Sequence, residues 1–171
     1  MIKGIEVREV KKLIDERGFF AEIMRSDWTD IFKDTLVQIN FSCSYPGIIR
    51  AWHRHNKSQV DHFIVIDGKI KLNAYDDMKG SNTFGELDEI IISDEILKIV
   101  RIPGYLWHGF KAIGTRKVKL LYGVNRLYNY NVPDEERRPW NDPTIIPLSI
   151  NGRRDDPRVG KTYDWNHPPH K

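Results

Sequence analysis

The stretch from Gly47 to Gly68 constrains this chain more than any other, because it sets two histidines into what otherwise reads as β-structure. His53 and His55 are separated by Arg54 alone. Side chains on a strand alternate faces, so both imidazoles point one way and Arg54 the other. After a polar turn at Asn56-Lys57-Ser58 the chain resumes at Gln59, passes Asp61 and His62, and closes on Gly68. The pattern predicts a hairpin that carries both imidazoles and brings Asp61 or His62 near them. A second signal, Ile102-Pro103-Gly104 followed by Trp107-His108-Gly109-Phe110, adds a histidine from a separate strand region. Three histidines from two regions suggest one pocket.

The rest of the chain is written in the same way. Short runs rich in Val, Ile, Phe and Tyr recur between turn signals, at the spacing of a sandwich or barrel. Asp67-Gly68 between two such runs is a hairpin signal. Only Ser26-Asp27-Trp28-Thr29-Asp30-Ile31-Phe32 reads as helical, with Ser26 or Asp27 as its cap. From Pro133 onward the chain is polar and holds seven of the nine prolines. That predicts an irregular arm, with a short helix at Pro133–Arg138, which must pack on the barrel or a second subunit to be ordered. The 171 residues suit one domain, 1–171, divided into a barrel over about 1–132 and an arm over 133–171.

Composition excludes several classes. With 30% charged and 40% hydrophobic residues the chain reads as folded and soluble. A net charge of +3 without a dense Lys/Arg stripe suits an anionic ligand and does not point to nucleic acid. No apolar run approaches the roughly 18 residues of a membrane span, and the first residues lack a signal-peptide core, so a cytoplasmic protein is expected. A single cysteine, Cys43, excludes an internal disulfide and reads as a small core residue.

The histidines fit a known pattern. Gly47…His53-x-His55…Asp61…Gly68 approximates the first motif of the cupin fold, and Pro103-Gly104…His108 the second. The fold expected is therefore all-β, a cupin-type jelly-roll β-barrel. Such motifs often hold a divalent metal, here through His53, His55, Asp61 and His108, a set that suits iron, manganese, zinc or nickel. The same residues also suit a metal-free acid–base site, in which a histidine takes a proton acidified by a carbonyl and a tyrosine returns one. Arginine forks such as Arg17 and Arg50 bind phosphate, and Tyr122, Tyr128 and Tyr130 offer faces to a base or sugar. Arg50 lies three residues before His53, so a bulge is needed to bring it to the same face.

Several blocks, in order, resemble the dTDP-4-dehydrorhamnose 3,5-epimerase family of nucleotide-sugar cupins. They are Asp15-x-Arg17-Gly18-x-Phe20-x-Glu22, Gln38-x-Asn40-x-Ser42, Gly47-Ile48-Ile49-Arg50-Ala51-Trp52-His53, Asp76…Ser81-x-Thr83-x-Gly85, Ile102-Pro103…His108-Gly109-Phe110 and Trp140-Asn141-Asp142-Pro143. The resemblance implies a metal-independent isomerase without a cofactor, acting as a homodimer on a nucleotide-linked 4-keto-6-deoxy sugar. It implies His53 as general base and Tyr122 as the opposing acid. Arg17 and Arg50 would contact phosphate and sugar, Tyr128 would hold the nucleotide, and His108 would lie near the sugar. Phe20, Glu22, Gln38 and Asn40 would line the site.

The chain also departs from that pattern. Asp61 stands where the family has a lysine, and Leu72 where it has that lysine's aspartate partner; Lys71, Asn73 or His62 are the candidate replacement donors. His55 is an addition, and Ala51 and Trp52 replace a glycine and a leucine. The C-terminal aspartate that would orient the base has no clear match; Asp155, Asp156 and Asp164 are the candidate substitutes, and spacing selects none of them. Asp61 is expected to pair with His55 or His62 and to raise that histidine's pKa. Two other functions stand beside the epimerase: a metal-dependent oxygenase or isomerase using His53, His55, Asp61 and His108, and a non-catalytic binder of sugar nucleotides.

Overall fold

Alternation along the strands decides the architecture. Ile70, Leu72 and Ala74 alternate with Lys71, Asn73 and Tyr75, and Phe63 and Val65 alternate with His62 and Ile64. Each strand thus has two distinct faces, and the faces carrying the first sets meet in one core. The computed structural model describes residues 1–168 and holds, among them, thirteen strands and no helix. They are β1 (Glu6–Glu9), β2 (Leu13–Asp15), β3 (Gly18–Phe20), β4 (Gln38–Ser44), β5 (Ile49–His55), β6 (Val60–Asp67) and β7 (Lys69–Tyr75). Then follow β8 (Glu86–Ser93), β9 (Lys98–Pro103), β10 (Trp107–Ile113), β11 (Val118–Val124), β12 (Glu135–Arg137) and β13 (Ser149–Ile150).

One sheet has the order β1-β9-β6-β11-β4 and the other β12-β5-β10-β7-β8-β13, while β2 and β3 form a ribbon of their own. Pairing is antiparallel apart from β13 on β8. This is the all-β jelly-roll architecture expected, with two facing sheets that do not close into a ring. Val65 and Phe63 of the first sheet pack on Ile70, Leu72, Phe110 and Ala112 of the second. Toward the edge strands β4 and β12 the filling turns polar, and a pocket opens there.

Two expected hairpins are corners instead. β5 pairs with β10 and β12, whereas β6 pairs with β9 and β11, so the turn after His55 carries the chain across to the opposite sheet. Gly104 pins that crossing: its backbone bonds both His55 and Gln59, and a Cβ on it would sit 2.3 Å from the Gln59 carbonyl oxygen. Asp67-Gly68 likewise links strands of different sheets. A DG turn signals reversal, not which sheet the chain enters next.

Neither expected helix forms. Ser26–Phe32 is a series of turns whose Ile31 packs with Val10, Ile64 and Leu97 on the outer face of the first sheet. A segment this short does not nucleate a helix by itself, and tertiary anchoring decides its path. The Pro133–Arg138 segment contributes strand β12, because the free edge of β5 offers its backbone partners. Cys43, expected in the core, is exposed on β4, which is an edge strand. The rest of the arm covers the outer face of the second sheet, where Trp165 lies 4.8 Å and Tyr163 5.9 Å from Trp52 between ring centroids. Residues 169–171 of the arm lie outside the described residues.

Candidate active site

The pocket at the polar end has a volume of about 590 Å³ and both sheets wall it. β5 supplies Arg50, His53 and His55; β6 supplies Asp61 and Phe63; β11 supplies Tyr122; and β4 supplies Gln38, Asn40 and Ser42. Arg50 reaches it through a bulge. His108 pairs with His53 while Phe110 pairs with Arg50, so three steps on β5 oppose two on β10. Gly109 makes the bulge possible, since a Cβ there would lie 2.3 Å from the Ala51 Cβ and 2.6 Å from the Arg50 carbonyl oxygen.

The floor is a buried group of three side chains, His55 (8% exposed), Asp61 (2%) and His108 (0%). His108 Nδ1 lies 2.8 Å from the Leu106 carbonyl oxygen, and its Nε2 lies 3.0 Å from Asp61 Oδ2. The same Oδ2 is 3.3 Å from His55 Nε2, and Gln59 Nε2 donates to Asp61 Oδ1 at 3.0 Å. Burial works against the Asp61 carboxylate, but its bonds with His108 and His55 outweigh it and hold its pKa well below the usual range. Burial likewise works against a charge on His55, yet the Asp61 bond and nearby carboxylates prevail and raise its pKa. The expected partner of Asp61 is therefore His55. His62 points to the other face, bonded to the Ile31 carbonyl at 2.9 Å and stacked on Phe32.

His53 sits above this floor, its ring 4.2 Å from that of His108. Burial and then the neighbouring His108 press its pKa well below the ordinary imidazole value. Tyr122, stacked on Phe63 at 5.9 Å, has its pKa raised by burial and then by Asp61 and Glu135. A neutral imidazole on one sheet thus faces the same cavity as a protonated phenol on the other. Around the mouth stand Tyr128 and Tyr130, ring centroids 5.0 Å apart, with Arg126, Arg137 and Arg138. Gln38 anchors this rim by accepting from the Tyr128 backbone at 2.9 Å. Arg137 pairs with Glu135 and Arg138 with Asp77, whereas Arg50 bonds the Ser44 hydroxyl at 3.0 Å.

The pocket of this chain gathers His53, Tyr122, Gln38, Asn40, Arg50 and Tyr128, with His108 beneath His53. Arg17, Phe20 and Glu22 are not among its lining. Arg17 pairs with Asp15 on the β2–β3 ribbon, Phe20 is 62% exposed, and Glu22 pairs with Arg25. The candidate donors Lys71 and Asn73 are excluded: Asn73 bonds the Tyr163 hydroxyl and Lys71 the Trp165 carbonyl, both under the C-terminal arm. Asp155 pairs with Arg153, Asp156 with Arg158, and Asp164 bonds the Asn166 backbone, so none supplies an orienting carboxylate to His53. Sequence reasoning missed Gln59, Arg126, Glu135, Arg137 and Arg138. Gln59 was within reach, because it alternates with Val60 onto the face of Asp61.

The family model described as dTDP-4-dehydrorhamnose 3,5-epimerase matches residues 1–156. The chain belongs to that family. It is an isomerase of the epimerase type, as the motif blocks implied. One relative, named "Probable low-salt glycan biosynthesis epimerase Agl13", from Haloferax volcanii, is 44% identical over 140 residues, covering 82% of this chain and 89% of that one. The spore coat polysaccharide biosynthesis protein SpsL of Bacillus subtilis is 36% identical, over 85% of this chain and 94% of its own. Among solved structures, a dTDP-6-deoxy-D-glucose-3,5-epimerase RmlC from Legionella pneumophila, in complex with dTDP-4-keto-L-rhamnose, aligns with a TM-score of 0.75 at 26% identity. It covers 90% of this epimerase and 86% of that chain.

Proposed function

We propose that this epimerase inverts a nucleotide-linked 4-keto-6-deoxy sugar at C3, C5 or both, in the biosynthesis of a glycan. The observation that carries the reading is the placement of His53 and Tyr122 on opposite sheets around one pocket. His53 takes the proton from a carbon beside the keto group, and the C–H electron pair moves into the enolate. Tyr122 delivers a proton to that carbon from the other side, which inverts it. Arg50 and Arg126 line the pocket and have no carboxylate partner among the described residues, which leaves their guanidinium forks for a diphosphate. Tyr128 and Tyr130 at the rim suit the flat face of a base. Relatives named as epimerases of glycan biosynthesis and of dTDP-4-dehydrorhamnose support the same substrate class.

The protein acts as a homodimer in this reading. β4 is an unpaired edge whose outward Ile39 and Phe41 are exposed, and the ribbon exposes Leu13, Ile14, Phe19 and Phe20. Dimerisation that covers these residues also offers Arg17, Phe20 and Glu22 a pocket to serve, that of the second copy. We take the chain to work as one unit, since Tyr163 and Trp165 of the arm share a core with Trp52. No helix of the described residues is long and apolar enough to cross a membrane. With a nucleotide-sugar substrate and one free cysteine, the cytoplasm is the compartment proposed.

The test is His53→Ala beside Tyr122→Phe, with solvent-deuterium exchange and nucleotide-sugar affinity measured on both. His53→Ala is expected to cut exchange at least ~100-fold and leave binding intact. Near-normal exchange in that variant would refute the assignment.

A further inference from the structure

We propose that Arg137 is a catalytic residue of this pocket, the cation that receives the keto oxygen as the enolate forms. Taking a proton from a carbon beside a keto group moves charge onto that oxygen, and a pocket speeds the step by aiming donors at where the charge develops. The floor offers the opposite sign, the buried carboxylate of Asp61. Lys71 and Asn73 lie under the C-terminal arm, and Arg50 bonds Ser44 on β4. Arg137 stands directly across from the base. On the antiparallel pair of β12 with β5 it is the partner of His53, as Glu135 is of His55. Residues paired in this way share a face, with Cβ atoms about 5 Å apart, and all four line the pocket.

The strand that presents Arg137 is tied down from its other side. Glu136 accepts from Arg54 Nε at 2.6 Å and from Asn56 Nδ2 at 2.8 Å. Arg138 bonds Asp77 Oδ2 at 3.0 Å and stacks 4.1 Å over the Trp107 ring, whose Nε1 donates to the same oxygen at 2.8 Å. These anchors leave the pocket face of β12 to Glu135 and Arg137. Glu135 Oε2 accepts from Arg137 Nε at 3.0 Å and from Nη2 at 2.6 Å, which orients the fork and leaves Nη1 without a bond among the described residues. The Arg137 side chain is 75% exposed, so its charge is open to whatever fills the pocket. The guanidinium is also felt at the base: burial and His108 come first among the causes that lower the His53 pKa, and His55 and Arg137 follow. The step balances without a co-reactant. His53 takes the proton, the C–H pair becomes the second bond between the two carbons, and the former C=O π pair moves onto oxygen, where the guanidinium N–H groups meet it. When Tyr122 returns a proton to the carbon, the pairs move back and the guanidinium is released unchanged.

This role rests on the epimerase reading above, and the experiment separates the two. Full-length Arg137→Ala and Arg137→Lys are compared with the parent on the keto-sugar nucleotide that the parent turns over, by steady-state kinetics and solvent-deuterium exchange. Affinity for the matching nucleoside diphosphate is measured by calorimetry. Arg137→Ala is expected to cut kcat and exchange at least ~100-fold, the scale of a lost oxyanion donor. Nucleoside diphosphate affinity should stay within about 3-fold and Tm within about 2 °C, because the side chain is exposed. Arg137→Lys keeps the charge without the fork and should recover at least ~10-fold of that loss. Guanidinium ion at a non-denaturing concentration should restore turnover to Arg137→Ala and not to His53→Ala, which lacks the base. Arg116→Ala removes an equal charge beside Asp67 and Asp94, outside the pocket, and should keep the parent kcat. Arg137→Ala within about 3-fold of the parent kcat would overturn the role of Arg137 and leave the epimerase reading standing. Lost nucleotide affinity with kcat kept would make Arg137 a phosphate ligand and overturn it as well. Parent protein without exchange on any keto-sugar nucleotide would sink the epimerase reading, and this role with it.

Discussion

Gly109→Ala tests how the fold builds the site. A Cβ at this position meets the Ala51 Cβ at 2.3 Å, the Ala51 Cα at 2.6 Å and the Arg50 carbonyl oxygen at 2.6 Å. Two of these three atoms are backbone, so no rotamer change relieves the clash, and β5 itself must move away from β10. Overpacking of this kind costs typically about 1–3 kcal/mol, and a backbone-on-backbone contact places this case near about 3 kcal/mol. In a chain of this length that is a fall in Tm of roughly 6–12 °C. The strand displaced carries Arg50 and His53, so turnover should fall further than stability alone explains, with kcat lost more than KM raised. Ala51→Gly in the same chain removes only the nearest of the three contacts, so it should restore part of the stability and little of the activity. The assay is urea unfolding by circular dichroism beside steady-state kinetics. A Gly109→Ala protein within about 0.5 kcal/mol of the parent, with unchanged kcat, would show that the bulge is not packed as described.

Other consequences are as specific. Trp165→Ala opens the core shared with Trp52 and Tyr163 and should cost about 3–5 kcal/mol in urea unfolding, although it lies on the sheet face away from the pocket. Tyr122 must be protonated to act as an acid, and its pKa is raised. The basic limb of the pH–rate profile should therefore lie above about 10, and a limb well below that value would argue against Tyr122. Arg50→Lys loses the planar fork and should raise KM for a diphosphate-linked sugar by about 10-fold with kcat little changed. His62→Gln, facing Ile31 and Phe32, should leave solvent exchange unaltered; a large loss would place His62 in the site after all.

How far the sequence foretold this depends on which physical rule was in play. Strict alternation sufficed for His53 and His55, and for the return of Asp61 to the same space, because period-two geometry survives even when the hairpin proves to be a sheet-to-sheet corner. It could not place Arg50, whose face is set by a bulge that only the close approach of Gly109 to Ala51 reveals. Lys71 and Asn73 looked available on sequence grounds. They are covered because the C-terminal arm packs on that face of the second sheet, a tertiary fact invisible to local pattern. The Pro133–Arg138 segment has helix-forming residues, yet the open edge of β5 claims it as a strand, and Arg137 and Glu135 come to the pocket with it. Arg17, Phe20 and Glu22 were legible as motif residues only, and the fold of one chain leaves Arg17 and Phe20 on an exposed ribbon and Glu22 in the exposed segment just after it.

The central claim is proton transfer at a carbon beside a sugar keto group, and the most direct measurement is NMR in deuterated water. The chain is incubated with dTDP-, UDP- and GDP-linked 4-keto-6-deoxy sugars, and the C3 and C5 proton signals are followed. The account predicts that at least one of these substrates loses its C3 or C5 signal to deuterium and gains the inverted configuration there, and that His53→Ala does neither. Retention of every C3 and C5 proton by the wild-type protein, with the sugar nucleotide demonstrably bound, would contradict it.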